Sequence, residues 1–83
     1  MSSVTYYGAD WCSDCRRSKK LMDTLGVQYV EMNVEESAEN AASAEAIAGR
    51  KNIPVIQFED GKFLVEPSDA DLFAELKVRG IVS

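Results

Sequence analysis

At 83 residues, 46% of them hydrophobic and 28% charged, the chain has the composition of a single soluble globular domain, read here as 1–83. A net charge of −5 disfavours nucleic acid, because phosphates and an acidic surface repel, and the absence of histidine excludes Ser-His, Cys-His and His-ligated metal chemistry. No apolar run approaches the roughly 20 residues of a membrane span, and the opening MSSVTYY lacks the basic and apolar regions of a secretory leader, so the expected location is cytoplasmic and away from membranes.

Val4–Tyr7, β-branched and aromatic, predicts a first strand. From Cys12 the spacing turns helical: Cys15, Ser18, Met22 and Leu25 fall on one face with Leu21 beside them, and Gly26 stops the helix. Val27–Val34 predicts a second strand. Ser37 is placed to cap an alanine-rich helix running to Gly49, whose apolar face is thin: Ala41, Ala44, Ile47 and Ala48. Ile53–Phe58 predicts a third strand opened by a proline, Asp60-Gly61 a hairpin turn, and Lys62–Val65 the returning fourth strand. Ser68, with Asp71 three residues on, starts a last helix. The order is βαβαββα. Its first three elements fit a right-handed crossover with parallel strands, and the hairpin adds an antiparallel edge. The expected fold is α/β, a four-stranded mixed sheet flanked by three helices.

The chemistry gathers at Trp11-Cys12-Ser13-Asp14-Cys15. A helix starting at Cys12 leaves its first N–H groups without helical partners, and together with the macrodipole they favour a thiolate over a thiol. The thiolate is the attacking species in disulfide exchange. Cys15, one turn on, returns to the same face and can reach the first sulfur as a resolving thiol. Arg16 and Arg17 should support negative charge there, while Asp10 and Asp14 oppose it. A purely structural disulfide over so short a loop adds only about 2 kcal/mol and does not persist in a reducing cytoplasm. A zinc or iron–sulfur site needs four ligands, so this pair serves one only by joining two chains. A redox pair beside a βαβ pattern is the favoured reading. A redox-sensing interaction domain shares the same residues, and the acidic middle of the chain (Glu31, Glu35, Glu36, Glu39, Glu45) would suit a partner with basic patches.

Together the strand order, Trp11-Cys12-x-x-Cys15, Ile53-Pro54 and the Ser68-Asp69 helix start resemble the glutaredoxin family of the thioredoxin fold, and within it the mycoredoxins. The resemblance implies a thiol–disulfide oxidoreductase that reduces protein disulfides or protein–small-thiol mixed disulfides. It would hold no cofactor and no metal, and would use mycothiol or glutathione as co-substrate and oxidised proteins as clients. The resemblance also implies a cis proline at Pro54 facing the active site, the Ile53 backbone pairing with the bound thiol, and Ser68 and Asp69 holding its far end. Tyr7 and Trp11 would line the groove beside Cys12. A monomer is expected.

Two departures bear on the thiol. Glutathione-using members carry Pro and an aromatic between the cysteines, where this chain has Ser13 and Asp14, and Gly-Gly before the last helix, where it has Val65-Glu66-Pro67. Glu66 would set a negative charge near an anionic glutathione, which makes mycothiol the better fit. A further alternative is an electron donor reduced by thioredoxin reductase, resembling the ribonucleotide reductase redoxins. Phe63–Pro67 lacks that group's Trp-Ser-Gly-Phe-Arg-Pro stretch.

Overall fold

Strand alternation decides which residues of the first strand, β1 (Val4–Gly8), meet which layer of helices. Val4 and Tyr6 point to one face and Tyr7 to the other, and each face gathers its own apolar cluster. The computed structural model describes residues 4–82. Met1–Ser3, the first part of the stretch read for a leader, and Ser83 lie outside the described residues.

The elements that follow are α1 (Ser13–Thr24), β2 (Val30–Asn33), α2 (Ala38–Ala48), β3 (Val55–Phe58), β4 (Phe63–Val65) and α3 (Asp69–Val78), the expected βαβαββα order. The sheet runs β2-β1-β3-β4. β1 is parallel to β2 and antiparallel to β3, and β3 pairs antiparallel with β4, so the sheet is mixed as anticipated. On one face Val4, Tyr6, Ile56 and Phe58 meet Cys15 and Met22 of α1 and Leu72 and Leu76 of α3. On the other, Tyr7 and Val55 meet Ala44 of α2, with Met32, Ile47 and Val65 at the margin.

Several element ends differ from the sequence expectation, each for a local reason. Cys12 is the N-cap of α1 and not its first helical residue, with an extended backbone of φ −84° and ψ 120°. Val27 is not yet strand. It closes the Schellman turn after α1, its N–H donating to Met22 O at 2.9 Å while Gly26, at φ 72°, donates to Asp23 O at 3.2 Å. β2 therefore starts at Val30. β3 starts at Val55, just after Pro54, which has no N–H to give to a ladder, and β4 starts at Phe63. Ala41, assigned to the apolar face of α2, is exposed, and Ala44 is that helix's buried contact. Ser37 and Ser68 cap α2 and α3 as read, their hydroxyls accepting from Asn40 N at 3.3 Å and Asp71 N at 3.1 Å.

The end of α3 is tied to the β3–β4 turn by charge. Arg79 lies 4.1 Å over the Phe58 ring and pairs with Glu75 at 2.7 Å and Asp60 at 3.2 Å, while Lys62 reaches Glu75 at 3.0 Å. Lys62, first, and then Arg79 hold the Glu75 carboxyl below its ordinary range. Asp60 is lowered by the Lys62 N–H and then by Arg79. Carboxylates held down in this way stabilise the fold above their unfolded titration range, and lose that contribution as pH falls through it.

Two outcomes are expected. Leu72→Ala, at a fully buried position between α3 and the sheet, should cost about 3 kcal/mol in urea unfolding. Arg79→Ala should lower the thermal midpoint at neutral pH, and the deficit should shrink as pH falls through the carboxylate range. A pH-independent deficit would instead assign the loss to packing on Phe58.

Candidate active site

The first turn of α1 is assembled around two sulfurs in unequal surroundings. As N-cap, Cys12 takes the position where a side-chain acceptor meets an orphan helix N–H, and its Sγ accepts from the Cys15 N–H at 3.3 Å. The loop before it is closed by the Cys12 N–H donating to Ala9 O at 3.3 Å. Cys12 is half-buried, and its thiol faces the Ile53 carbonyl at 3.9 Å. The cis Ile53-Pro54 peptide stands opposite, as the family resemblance implied.

Cys15 is fully buried beneath that turn. Burial pushes its thiol up to about 12, helped by the hydrogen bond with Cys12, while the Ala9 backbone and the Tyr6 hydroxyl pull it the other way. Both cysteines are free thiols. Such burial counts against a metal or cluster shared between two chains, since Cys15 presents nothing to a partner. Among the described residues no group of three or more His, Cys, Asp or Glu side chains is gathered to hold a metal ion.

The two sides of Cys12 differ in character. On one side Trp11, 64% exposed, and Ile53 open a groove of about 450 Å³ along α2, lined by Val34, Ala38, Ala41 and Ala42 and ending at Arg50 and Lys51. On the other, Arg17 bridges the starts of α1 and α3, pairing with Asp14 at 3.1 Å and Asp69 at 3.6 Å and donating to Pro67 O at 3.4 Å. Arg16 donates to Asp10 O at 2.9 Å. Glu66 is adjacent, held at φ 49° in the left-handed region that favours glycine. Its N–H donates to Pro54 O at 2.9 Å and its carboxylate accepts from Asn52 Nδ2 at 2.8 Å.

A family model described as Glutaredoxin matches residues 4–64. The chain belongs to the glutaredoxin family. A protein of Mycobacterium tuberculosis strain H37Rv that bears a provisional glutaredoxin name is 31% identical over 84 residues, 95% of this chain and 96% of its own. Among solved structures, the glutaredoxin-like NrdH-redoxin from Escherichia coli superposes with a TM-score of 0.71 at 24% identity, covering 86% of this chain and 91% of its own. A buckwheat glutaredoxin–glutathione complex gives 0.69 at 22%, covering 98% and 82%. Glutaredoxin membership brings thiol–disulfide oxidoreductase chemistry with it, and the Cys12–Cys15 pair is where this chain carries it.

Within this glutaredoxin, Cys12, Cys15, Trp11, Ile53 and Pro54 converge on one spot, and Asp14, Arg17 and Asp69 form the adjoining lip. Ser68 stands at the same helix start with its hydroxyl engaged as the α3 cap. Alternation along β1 turns the Tyr7 ring into the layer under α2, where it packs with Ala44 and Val55 and is buried. Arg17 is engaged by the two carboxylates of Asp14 and Asp69. The sequence reading missed Tyr6 beneath Cys15, the Asn52–Glu66 link and the alanine-lined groove. Alternation already puts residue 6 on the α1 side of the sheet, which was signal enough for the first.

Any step that uses Cys15 as a thiolate should speed up by roughly tenfold per pH unit between about pH 6 and pH 9, because the thiolate fraction rises that steeply below the titration point. Stopped-flow measurement of disulfide closure across that range checks it, and a plateau near neutrality would contradict the burial of this thiol.

Proposed function

We propose that this glutaredoxin reduces mixed disulfides between client proteins and a low-molecular-weight thiol, and disulfides within client proteins. Cys12 is the attacking sulfur and Cys15 the resolving one. The observation that carries this is the asymmetry of the pair: Cys12 sits half-exposed on the helix N-terminus with the Cys15 N–H aimed at its sulfur, while Cys15 is sealed below. The Cys12 thiolate attacks one sulfur of the substrate disulfide, a new S–S bond forms on Cys12, and the other substrate sulfur leaves as a thiolate. The mixed disulfide is then opened by the thiolate of a second small thiol, which regenerates Cys12, or by Cys15, which closes an intramolecular disulfide. The same N–H that caps α1 with Cys12 stabilises negative charge on that sulfur each time it leaves.

The surroundings support a choice of thiol. The backbone at Ile53, with Pro54 held cis, lies where an extended thiol backbone can pair, and Trp11 gives one wall. Ser68 and Asp69 at the start of α3 would meet the far end of the ligand. That end carries Asp14, Asp69 and Glu66 against Arg17, an excess of negative charge that favours a neutral thiol such as mycothiol over anionic glutathione. Asp14, Arg16 and Arg17 then modulate the site by setting this local field. The second reading is an electron donor reduced by thioredoxin reductase. It is favoured by likeness to a redoxin whose structural description reports a thioredoxin-like activity profile.

Cys12→Ser should abolish turnover, while Cys15→Ser should spare reduction of mixed disulfides with small thiols and lose reduction of disulfides within proteins. Full activity in Cys12→Ser would sink the reading. Recovery of the oxidised protein, followed by Trp11 fluorescence, should be fast with mycothiol and slower with glutathione. Recovery only with thioredoxin reductase and NADPH would establish the second reading. Glu66→Gly should raise the glutathione rate about three- to fivefold at low salt, by removing one like charge at contact range, and the gain should fade toward about 1 M salt.

A further inference from the structure

β1 sends a phenol into a layer built mostly from apolar side chains. Tyr6 is 2% exposed and packs among Val4, Met22, Ile56 and Leu72, where a phenylalanine would serve the packing equally well. A buried hydroxyl is unfavourable without a partner, and the partner here belongs to the active site: Tyr6 Oη donates to the backbone carbonyl of Cys15 at 3.1 Å. That carbonyl also belongs to the α1 ladder, and a carbonyl oxygen has a second lone pair for the phenol.

Three features hold the ring there. Tyr29 meets it edge-on, with centroids 5.8 Å apart and planes at 61°, and Tyr29 is itself fixed by donating to Asp23 at 2.7 Å. Residue 8 is glycine, and a methyl group at that position would collide with the Tyr6 hydroxyl and the ring carbon that bears it, so the phenol can lie along the strand and under the helix only because Gly8 has no side chain. The third feature is the apolar layer itself.

We propose that Tyr6 is a positioning residue for the resolving step: its hydroxyl, held beneath the first turn of α1 by its bond to the Cys15 carbonyl in the resting protein, turns its one hydrogen from that carbonyl to the Cys15 sulfur as the sulfur attacks the mixed disulfide on Cys12. This rests on Cys15 being the resolving thiol. The Cys15 thiol first gives its proton to solvent. Its thiolate then attacks the Cys12 sulfur, the Cys12–Cys15 bond forms, the bond from Cys12 to the small thiol breaks, and that thiol leaves with the electron pair.

The groups around this pair are arranged for a donor that keeps its proton. Cys15 faces Cys12, the Ala9 backbone and Tyr6. Tyr6 faces Cys15 from α1, Glu31 from β2 and Tyr29 from the loop before β2, while Lys19 on α1 is occupied by Glu31 at 2.9 Å. Burial, then Cys15 and Glu31, hold the phenol's proton well above its ordinary range. The Tyr6 hydroxyl acts on Cys15 in the opposite sense, favouring its thiolate. Tyr6 thus offsets part of the burial that makes Cys15 a reluctant nucleophile.

The test uses 5,5′-dithiobis(2-nitrobenzoate). Cys12 releases one coloured thiolate on attack, and Cys15 releases the second on closing the disulfide. Tyr6→Phe should leave the first phase within about twofold, slow the second about tenfold at neutral pH, and move its pH profile to the alkaline side. Gly8→Ala, which displaces the phenol without removing it, should slow the same phase. An unchanged second phase, or a slower one whose pH profile has not moved, would overturn the proposal. A second phase missing from the unaltered protein would instead overturn the reading of Cys15 as resolving thiol. In the unaltered protein, the 13C resonance of the Tyr6 ring carbon bearing the hydroxyl should titrate together with that of Cys15 Cβ. Independent titration would refute the coupling, including where the variants do not fold.

Discussion

The arrangement depends on the capping of α1 by a sulfur. Helix N-termini are normally closed by the oxygen of Ser, Thr, Asp or Asn, as Ser37 and Ser68 do for the other two helices of this chain. At α1 that position is held by Cys12, whose larger and softer sulfur is the weaker acceptor. The helix gives up cap strength at the point where a sulfur, and not an oxygen, receives the Cys15 N–H. Everything next to it follows from helix pitch. The residue whose N–H reaches the cap is Cys15, and its side chain turns down into the layer between α1 and the sheet. One interaction therefore sets the reactive sulfur, the distance of its partner and the contrast in burial between them.

That contrast is sustained by the sheet. The parallel β1–β2 pairing brings Glu31 alongside Tyr6, and the antiparallel β1–β3 pairing puts Ile56 on its other side. β3 also carries the Ile53-Pro54 peptide to the mouth of the site, where the carbonyl of Ile53 meets Cys12. Two elements distant in sequence thus supply the floor and one wall for a motif that is local to a single turn. The clamp of Arg79, Glu75, Asp60 and Lys62 is at the opposite end of β3 from Pro54, so this ionic network is separate from the redox pair.

The two flanks of Cys12 are built from different materials. The groove toward α2 is shaped by small side chains: alanines at 38, 41 and 42 leave volume that larger residues would fill. The lip toward α3 is shaped by charge, with Arg17 shared between two carboxylates, and the turn leading into it holds Glu66 with a left-handed backbone. A non-glycine residue at such a φ costs on the order of 1 kcal/mol, which the Asn52 hydrogen bond and the Glu66 N–H to Pro54 O help to offset.

Local pattern was enough for the order of elements, for two of the three helix caps and for the cysteine pair, because each is written in residues close together in the chain: a hydrophobic period, a serine before a helix, two sulfurs one turn apart. The family likeness, carried by Trp11-Cys12-x-x-Cys15, Ile53-Pro54 and Ser68-Asp69, was legible for the same reason. Element ends were less legible. Val27 has the side chain of a strand residue, yet the Schellman turn at Gly26 claims its N–H. Only the tertiary structure decided that Tyr7 packs under α2 while Tyr6 reaches Cys15, that Arg17 is shared between Asp14 and Asp69, and that a row of alanines becomes a groove beside Trp11. These facts depend on which strand lies next to which and on how closely the helices approach. A sequence states the residues that can meet, and the packing of the layers selects the ones that do.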